Sequence, residues 1–401
     1  MLLKEMPEEI SGRPLVGFLR EEAVRPHAMQ LLKEMRAESI ANALVGALQD
    51  KERVPYALEL LRGMPPDVTG KPLVWALKDE SSRQYAMDLL MDMPIREIAG
   101  PLILSLGNEE QKPYAKQLLL ESRPSAVANL LVGVLNNPRS RRNVMELLRE
   151  MSPKAIVKPL VWFLKDELSR PYSMELLRDI PYTVSAEHLV WALRDEQIRN
   201  SAMSLLREMP DKVIDKPLVR ALADPELSPH ATELLRELPP QVIVRPLIWS
   251  LKDEPARPYS MKLLMEMPAT REVVNALVGS LRYDGVEYVK EILRGMPADL
   301  IGTPLVWAIK EEETREHVME LLRELPADAI VGPLITSLGN RVQRPYAEEL
   351  LLDMEPSAVV GLLRKTETQG GVRAEAASEL LIKIEQRGPA DFRRNSGRQI
   401  G

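Results

Sequence analysis

The chain contains no cysteine. That absence removes disulfides, thiolate metal sites and cysteine nucleophiles, and it fits a reducing compartment, so the expected localisation is cytoplasmic. Long apolar runs are missing as well. No stretch approaches the roughly 18 residues a membrane helix needs, and the start lacks a basic segment leading into an apolar one, so neither a membrane span nor a signal peptide is read. A surplus of positive charge is also lacking: 53 basic residues stand against 59 acidic ones, a net charge of -6, which disfavours generic nucleic-acid binding. Catalytic signatures are absent too. There is no Gly-rich phosphate loop, no His-Glu-x-x-His, no Gly-x-Ser-x-Gly and no calcium-loop pattern. Carboxylates are plentiful but recur periodically, whereas an active site would interrupt the period with something unique. The expectation is a chain without enzymatic activity, cofactor or metal.

What the chain does have is a repeat. The leucine of the phrase Pro-Leu-Val-Trp-Ala-Leu recurs at Leu15, Leu44, Leu73, Leu102, Leu131, Leu160, Leu189, Leu218, Leu247, Leu277, Leu305, Leu334 and Leu363, a period of 29 disturbed only around Leu277. A fixed period of this size marks a solenoid, whose units are each too small to bury their own apolar face and so stack on their neighbours. No internal linker is visible, so residues 1–385 read as a single elongated domain. Residues 1–6 match the end of a unit and read as an incomplete first repeat, whose uncapped end is a candidate for self-association. Residues 386–401 read as a disordered polar tail.

Each unit holds two stripes of helical period. In helix A the stripe is Val68, Leu73, Val74, Leu77; in helix B it is Ala86, Leu89, Leu90, Met93. Prolines punctuate both. Pro65 and its equivalents end one helix B and suit the start of the next helix A, Pro72 and its equivalents fall inside helix A and predict a kink, and the Arg-Pro-Tyr phrase opens helix B.

Four rows of residues stand out from packing. The first, two residues after the marker leucine, holds all five tryptophans (Trp75, Trp162, Trp191, Trp249, Trp307) along with Gly17, Gly46, Gly133, Gly279 and Arg220. At about 100° per residue it lies about 200° from the marker leucine, opposite the apolar stripe. A core site would not accept Trp, Gly and Arg interchangeably, since removing a buried Trp side chain costs about 3–5 kcal/mol. The row therefore reads as exposed, with two uses open: indoles lying flat over the next repeat while glycines make room, or a discontinuous aromatic strip that anchors a partner.

The second row holds seven of the nine tyrosines and three of the four histidines, at the flank of the helix B stripe, and reads as structural. A metal role for His27, His230 and His317 is disfavoured by their separation of several repeats. The third pairs a turn acid with an arginine four residues on, as Asp79 with Arg83, Asp166 with Arg170, Asp195 with Arg199, Asp253 with Arg257 and Glu311 with Arg315, and reads as stitching between units. The fourth is the polar face of helix B, where Glu146, Arg149, Glu175, Arg178, Glu233, Arg236, Glu320 and Arg323 form either a network of ion pairs or a mildly acidic contact for a basic segment.

The order marker leucine, turn acid, helix B arginine, small residue and Leu-Leu resembles the HEAT-like helical repeats over about residues 1–385, with a shorter turn between the helices. The resemblance implies an all-α fold, a right-handed α-solenoid of about 13 two-helix repeats with helix B lining the concave side, and a binding scaffold as its use; a few relatives are DNA glycosylases. The leading expectation is a scaffold that binds a protein or peptide partner through the tryptophan row or the helix B face, the partner being basic if the acidic face is used. The alternatives are a nucleic-acid-binding or base-repair protein and an architectural, self-assembling solenoid.

Overall fold

A computed structural model describes residues 8–386 of the chain. The incomplete first repeat read over 1–6 lies outside the described residues, as does the polar tail beyond Gln386, which itself ends the last helix, Val372–Gln386. Among the described residues there are twenty-six α-helices and no strand, alternating between A and B types as the two stripes predict.

One unit shows why these residues fold this way. Pro65 stands at the N-cap of Pro66–Ala76 with φ -60° and ψ 133°, an extended backbone that proline favours and that no helix can continue through. Asp67 in the first turn complements the positive end of the helix dipole. Pro72 lies inside the same unbroken helix, as Pro101, Pro159, Pro217, Pro246, Pro304 and Pro333 do in theirs. After a short turn helix B follows as Glu80–Met91, and elsewhere it opens with proline in its first turn, as in Arg170–Asp179, where the missing N–H costs nothing.

The irregularity at Leu277 resolves locally. The extra residue is taken up ahead of Arg271–Ser280, where the Thr270 hydroxyl accepts from the Val273 N–H at 3.4 Å. The missing one shortens the following turn, which closes through Gly285 at φ 91°, a conformation that favours glycine.

From Leu44 to Leu363 every marker leucine is fully buried, each stabilising the fold by about 1.5–3 kcal/mol relative to an exposed side chain. These leucines sit between the helices of one unit and those of the next, so burial depends on stacking. Successive A helices approach especially closely. A Cβ added at Gly70 would stand 2.7 Å from Ile98 Cγ2, and one at Gly302 would stand 2.8 Å from the Ala329 carbonyl oxygen. Successive B helices touch less and are spanned by long side chains. Where the residue three before the marker leucine is glycine, as at Gly70 and Gly302, the absence of a side chain lets the A backbones approach. The described residues divide into two compact units, one ending at Glu208 and one beginning at Met209, and both show this pattern.

Candidate interaction surface

The tryptophan row is exposed as its register predicts. In the first unit Trp75, Trp162 and Trp191 expose 54%, 56% and 50% of their surface; in the second, Trp249 and Trp307 expose 60% and 51%. The glycines of the row do not make room for neighbouring indoles. A Cβ at Gly17, Gly46 or Gly279 would meet nothing within 4 Å, and only at Gly133 would it touch a ring, that of Phe163 at 3.4 Å. Packing therefore does not account for the alternation of Trp and Gly.

Cations of the chain itself stand over four of the five indoles. Lys71 Nζ lies 4.9 Å from the centroid of Trp75, Lys165 Nζ 3.2 Å from that of Trp162, and the Arg194 guanidinium 4.3 Å from that of Trp191; in the second unit Arg271 stands 5.9 Å from Trp307. Lys71 is four residues before its tryptophan, and Lys165 and Arg194 are three after theirs, the two offsets that share a helical face. These basic positions escaped the sequence reading because the net charge of -6 averages over the whole chain. Their fixed offsets from the tryptophans were the signal available. Beneath two of the indoles the backbone is pinned: Gln111 Nε2 donates to the carbonyls of Val74 and Trp75 at 3.1 Å each, and Gln343 does the same for Val306 and Trp307 at 3.2 and 3.1 Å.

The helix B face is a ladder of ion pairs between units. In the first unit Arg149 donates to Glu175 at 2.7 Å and Asp179 at 2.9 Å, Arg178 grips Glu208 with two bonds of 2.7 and 2.8 Å, and Glu146 receives Lys112 and Arg142. In the second, Arg236 grips Glu266 at 3.0 and 3.1 Å, Glu320 receives Lys290 at 2.5 Å and Arg294 at 3.1 Å, and Arg323 pairs with Glu349. Glu233 occupies the equivalent register and is likewise engaged. Bonds from Arg178, Arg236 and Lys290 hold the carboxyls of Glu208, Glu266 and Glu320 below the ordinary carboxylate range. The acids of this face are thus balanced by bases of the same layer.

The turn acid and its arginine do not join as expected. Arg83 Nε donates instead to the Leu77 carbonyl at 2.9 Å and Nη2 to that of Lys78 at 3.2 Å, while its guanidinium stacks 4.4 Å from the ring of Tyr114 in the next unit. Arg170, Arg199, Arg257 and Arg315 repeat the first bond at 2.7–2.9 Å. The last carbonyls of helix A have no intrahelical partner, and a planar fork of donors reaches two of them at once. The turn acid serves the turn: Asp195 Oδ1 accepts from the Gln197 N–H at 3.0 Å and Asn340 Oδ1 from that of Val342 at 3.0 Å, which is why Asp and Asn interchange there. Stitching between units does run through the arginine, but onto the tyrosine row.

Among the described residues no group of three or more His, Asp or Glu stands where it could hold a metal ion, and no helix is long and apolar enough to cross a membrane. No family model and no curated protein matches the chain. The helix pairing is HEAT-like. Among solved structures the chain is similar to a circular tandem repeat protein with novel repeat topology (14% identity, 97% of each chain, TM-score 0.18). It is also similar to the RNA-binding domain of yeast Puf5p bound to SMX2 RNA (13% identity, 87% of this chain and 95% of that one, TM-score 0.25). A third is Kap121p bound to Nup53p (13% identity, TM-score 0.24), where 98% of this chain spans 54% of the other. At these scores the description of the fold rests on the helix pairing itself.

Proposed function

We propose that the chain is a non-enzymatic scaffold, working in the cytoplasm, that binds a partner protein through an extended surface of its stacked repeats, with the tryptophan row as the contact. One observation carries this reading: all five tryptophans of the chain lie in one row and each is half exposed or more, while the charges of the opposite helix layer are spent on one another. Half-exposed indoles in a row that packing does not explain are the side chains a partner uses as anchors, each able to contribute 2 kcal/mol or more, in the range of about 2–4. The helix B face supports the reading less, since a basic partner there has to displace ion pairs already formed.

The test is affinity capture with the full chain and with a variant carrying Trp75→Ala, Trp162→Ala and Trp249→Ala. Because the three side chains are exposed, the variant keeps its helical circular dichroism and loses the proteins that the unaltered chain retains. Undiminished capture by the variant eliminates the tryptophan row as the contact.

A further inference from the structure

The charge of this chain is sorted by helix layer, which its total conceals. On the helix A face of the first unit, the positions four before and three after the tryptophan row carry Lys71, Lys78, Lys158, Lys165 and Arg194. Arg13 and Arg20 hold the same offsets in the first unit, Arg20 paired with Glu52 at 2.6 Å. The second unit adds Lys216, Arg245, Lys252, Arg282 and Lys310, the last 3.8 Å from Glu311; across both units the only acid at either position is Glu187. Among the described residues no ion pair engages Lys71, Lys78, Lys158 or Lys165 with a carboxylate, in contrast to the ladder on the helix B face, where Lys116 meets Glu150 at 2.7 Å and Lys33 meets Glu59 at 2.7 Å. Lys71 and Lys165 are held over the indole rings instead.

Resting on the scaffold reading above, we propose that the tryptophan face of the first unit is an anion-binding surface whose occupant is an extended acidic polypeptide segment. Carboxylates of that segment pair with Lys158 and Lys165, and its apolar side chains lie against Trp162 and Trp191. The two indoles stand on consecutive A helices, Pro153–Trp162 and Tyr182–Ala192. Packed helices are about 8–10 Å apart, and an extended chain advances about 3.3 Å per residue. A residue at every third place along the segment therefore meets successive repeats. Ahead of Trp75 in the same row, Gly17 and Gly46 leave open space above the helices, which suits a backbone lying flat.

A polypeptide fits better than a single-stranded nucleic acid. Lys165, Arg194 and Lys71 occupy one face of Trp162, Trp191 and Trp75 at 3.2, 4.3 and 4.9 Å, which leaves one face per indole. A net charge of -6 repels a strand charged at every nucleotide more than a segment with an acid at every third residue. A carboxylate takes hydrogen bonds from those same cations without displacing them from the rings.

The five tryptophans all lie in this row, three of them in the first unit, so intrinsic tryptophan emission reports on the row, and the lysine variants assign the response to the first unit. The full chain is titrated at low salt with a polyglutamate of about twenty residues, long enough to cross several repeats at about 3.3 Å per residue, and in parallel with polylysine and a single-stranded oligothymidine of matched length. Polyglutamate is expected to shift the emission saturably, with a midpoint that rises with salt. The Lys158→Glu/Lys165→Glu variant is expected to weaken that midpoint about ten-fold or more and Lys158→Gln/Lys165→Gln by less, both keeping the helical circular dichroism of the parent, whereas Glu59→Gln on the helix B face leaves it unchanged. Absence of a saturable shift with polyglutamate overturns the proposal, as does an unchanged midpoint in the Lys→Glu variant. Tighter binding of oligothymidine assigns the face to nucleic acid instead. Binding of polylysine in place of polyglutamate overturns the polarity but not the scaffold reading, which stands or falls on the capture experiment with the tryptophan variant.

Discussion

At Gly46 a methyl group would meet open space, and at Gly302 it would strike the Ala329 carbonyl oxygen at 2.8 Å. The two glycines look alike in the sequence, each within a helix A, yet their physics is opposite. Gly46→Ala removes backbone freedom from the unfolded chain at no steric cost and is expected to stabilise by about 0.5 kcal/mol. Gly302→Ala forces apart two closely approaching backbones and is expected to cost about 1–3 kcal/mol. Urea unfolding midpoints of the two variants check both signs; a stabilised Gly302→Ala contradicts the close approach of the A helices. The marker leucines were legible from period alone, since burial of the repeated apolar position is what makes the period. The role of a glycine was not, because it depends on an atom of the neighbouring unit about 30 residues away, as Gly70 depends on Ile98.

At the scale of the element, the turn between the helices is where sequence reading and structure part. Acid and arginine four apart suggested an ion pair by charge and spacing. The arginine instead closes the end of helix A, where carbonyls lack partners, and carries the connection to the next unit through a tyrosine ring. Arg83→Met is accordingly expected to lower stability by about 2 kcal/mol, combining two lost hydrogen bonds from a charged donor and one stacking contact. Arg83→Lys is expected to recover less than half, since an ammonium is a point charge without the fork. Asp79→Asn is expected to be nearly neutral in the same unfolding measurement. A loss for Asp79→Asn as large as that for Arg83→Met restores the ion-pair reading.

At the scale of the whole molecule, the helix B ladder gives the chain an acid limit. The Glu208, Glu266 and Glu320 carboxyls are held below their ordinary range by Arg178, Arg236 and Lys290, so the folded chain binds protons less readily there than the unfolded chain does. Their contribution is fully present above the unfolded carboxylate value of about 4.3 and is lost as pH falls through the lower folded values. Urea midpoints are expected to hold steady from about pH 5 to 8 and to decline slightly below about pH 4, because solvent screens each exposed pair. A stability that rises on acidification contradicts the ladder.

The sequence by itself determined the helix pairs, the buried leucine rows and the exposure of the tryptophans, because each follows from a period of 3.6 residues within a helix and of 29 along the chain, and a period is a local property. Only the tertiary structure decided which charges find partners. Arg149 reaches Glu175 and Asp179, 26 and 30 residues away, and that choice depends on how far apart neighbouring helices stand. The A helices close in on small residues while the B helices are held off by long charged ones, so acids and bases cancel on one layer and cations are left beside indoles on the other.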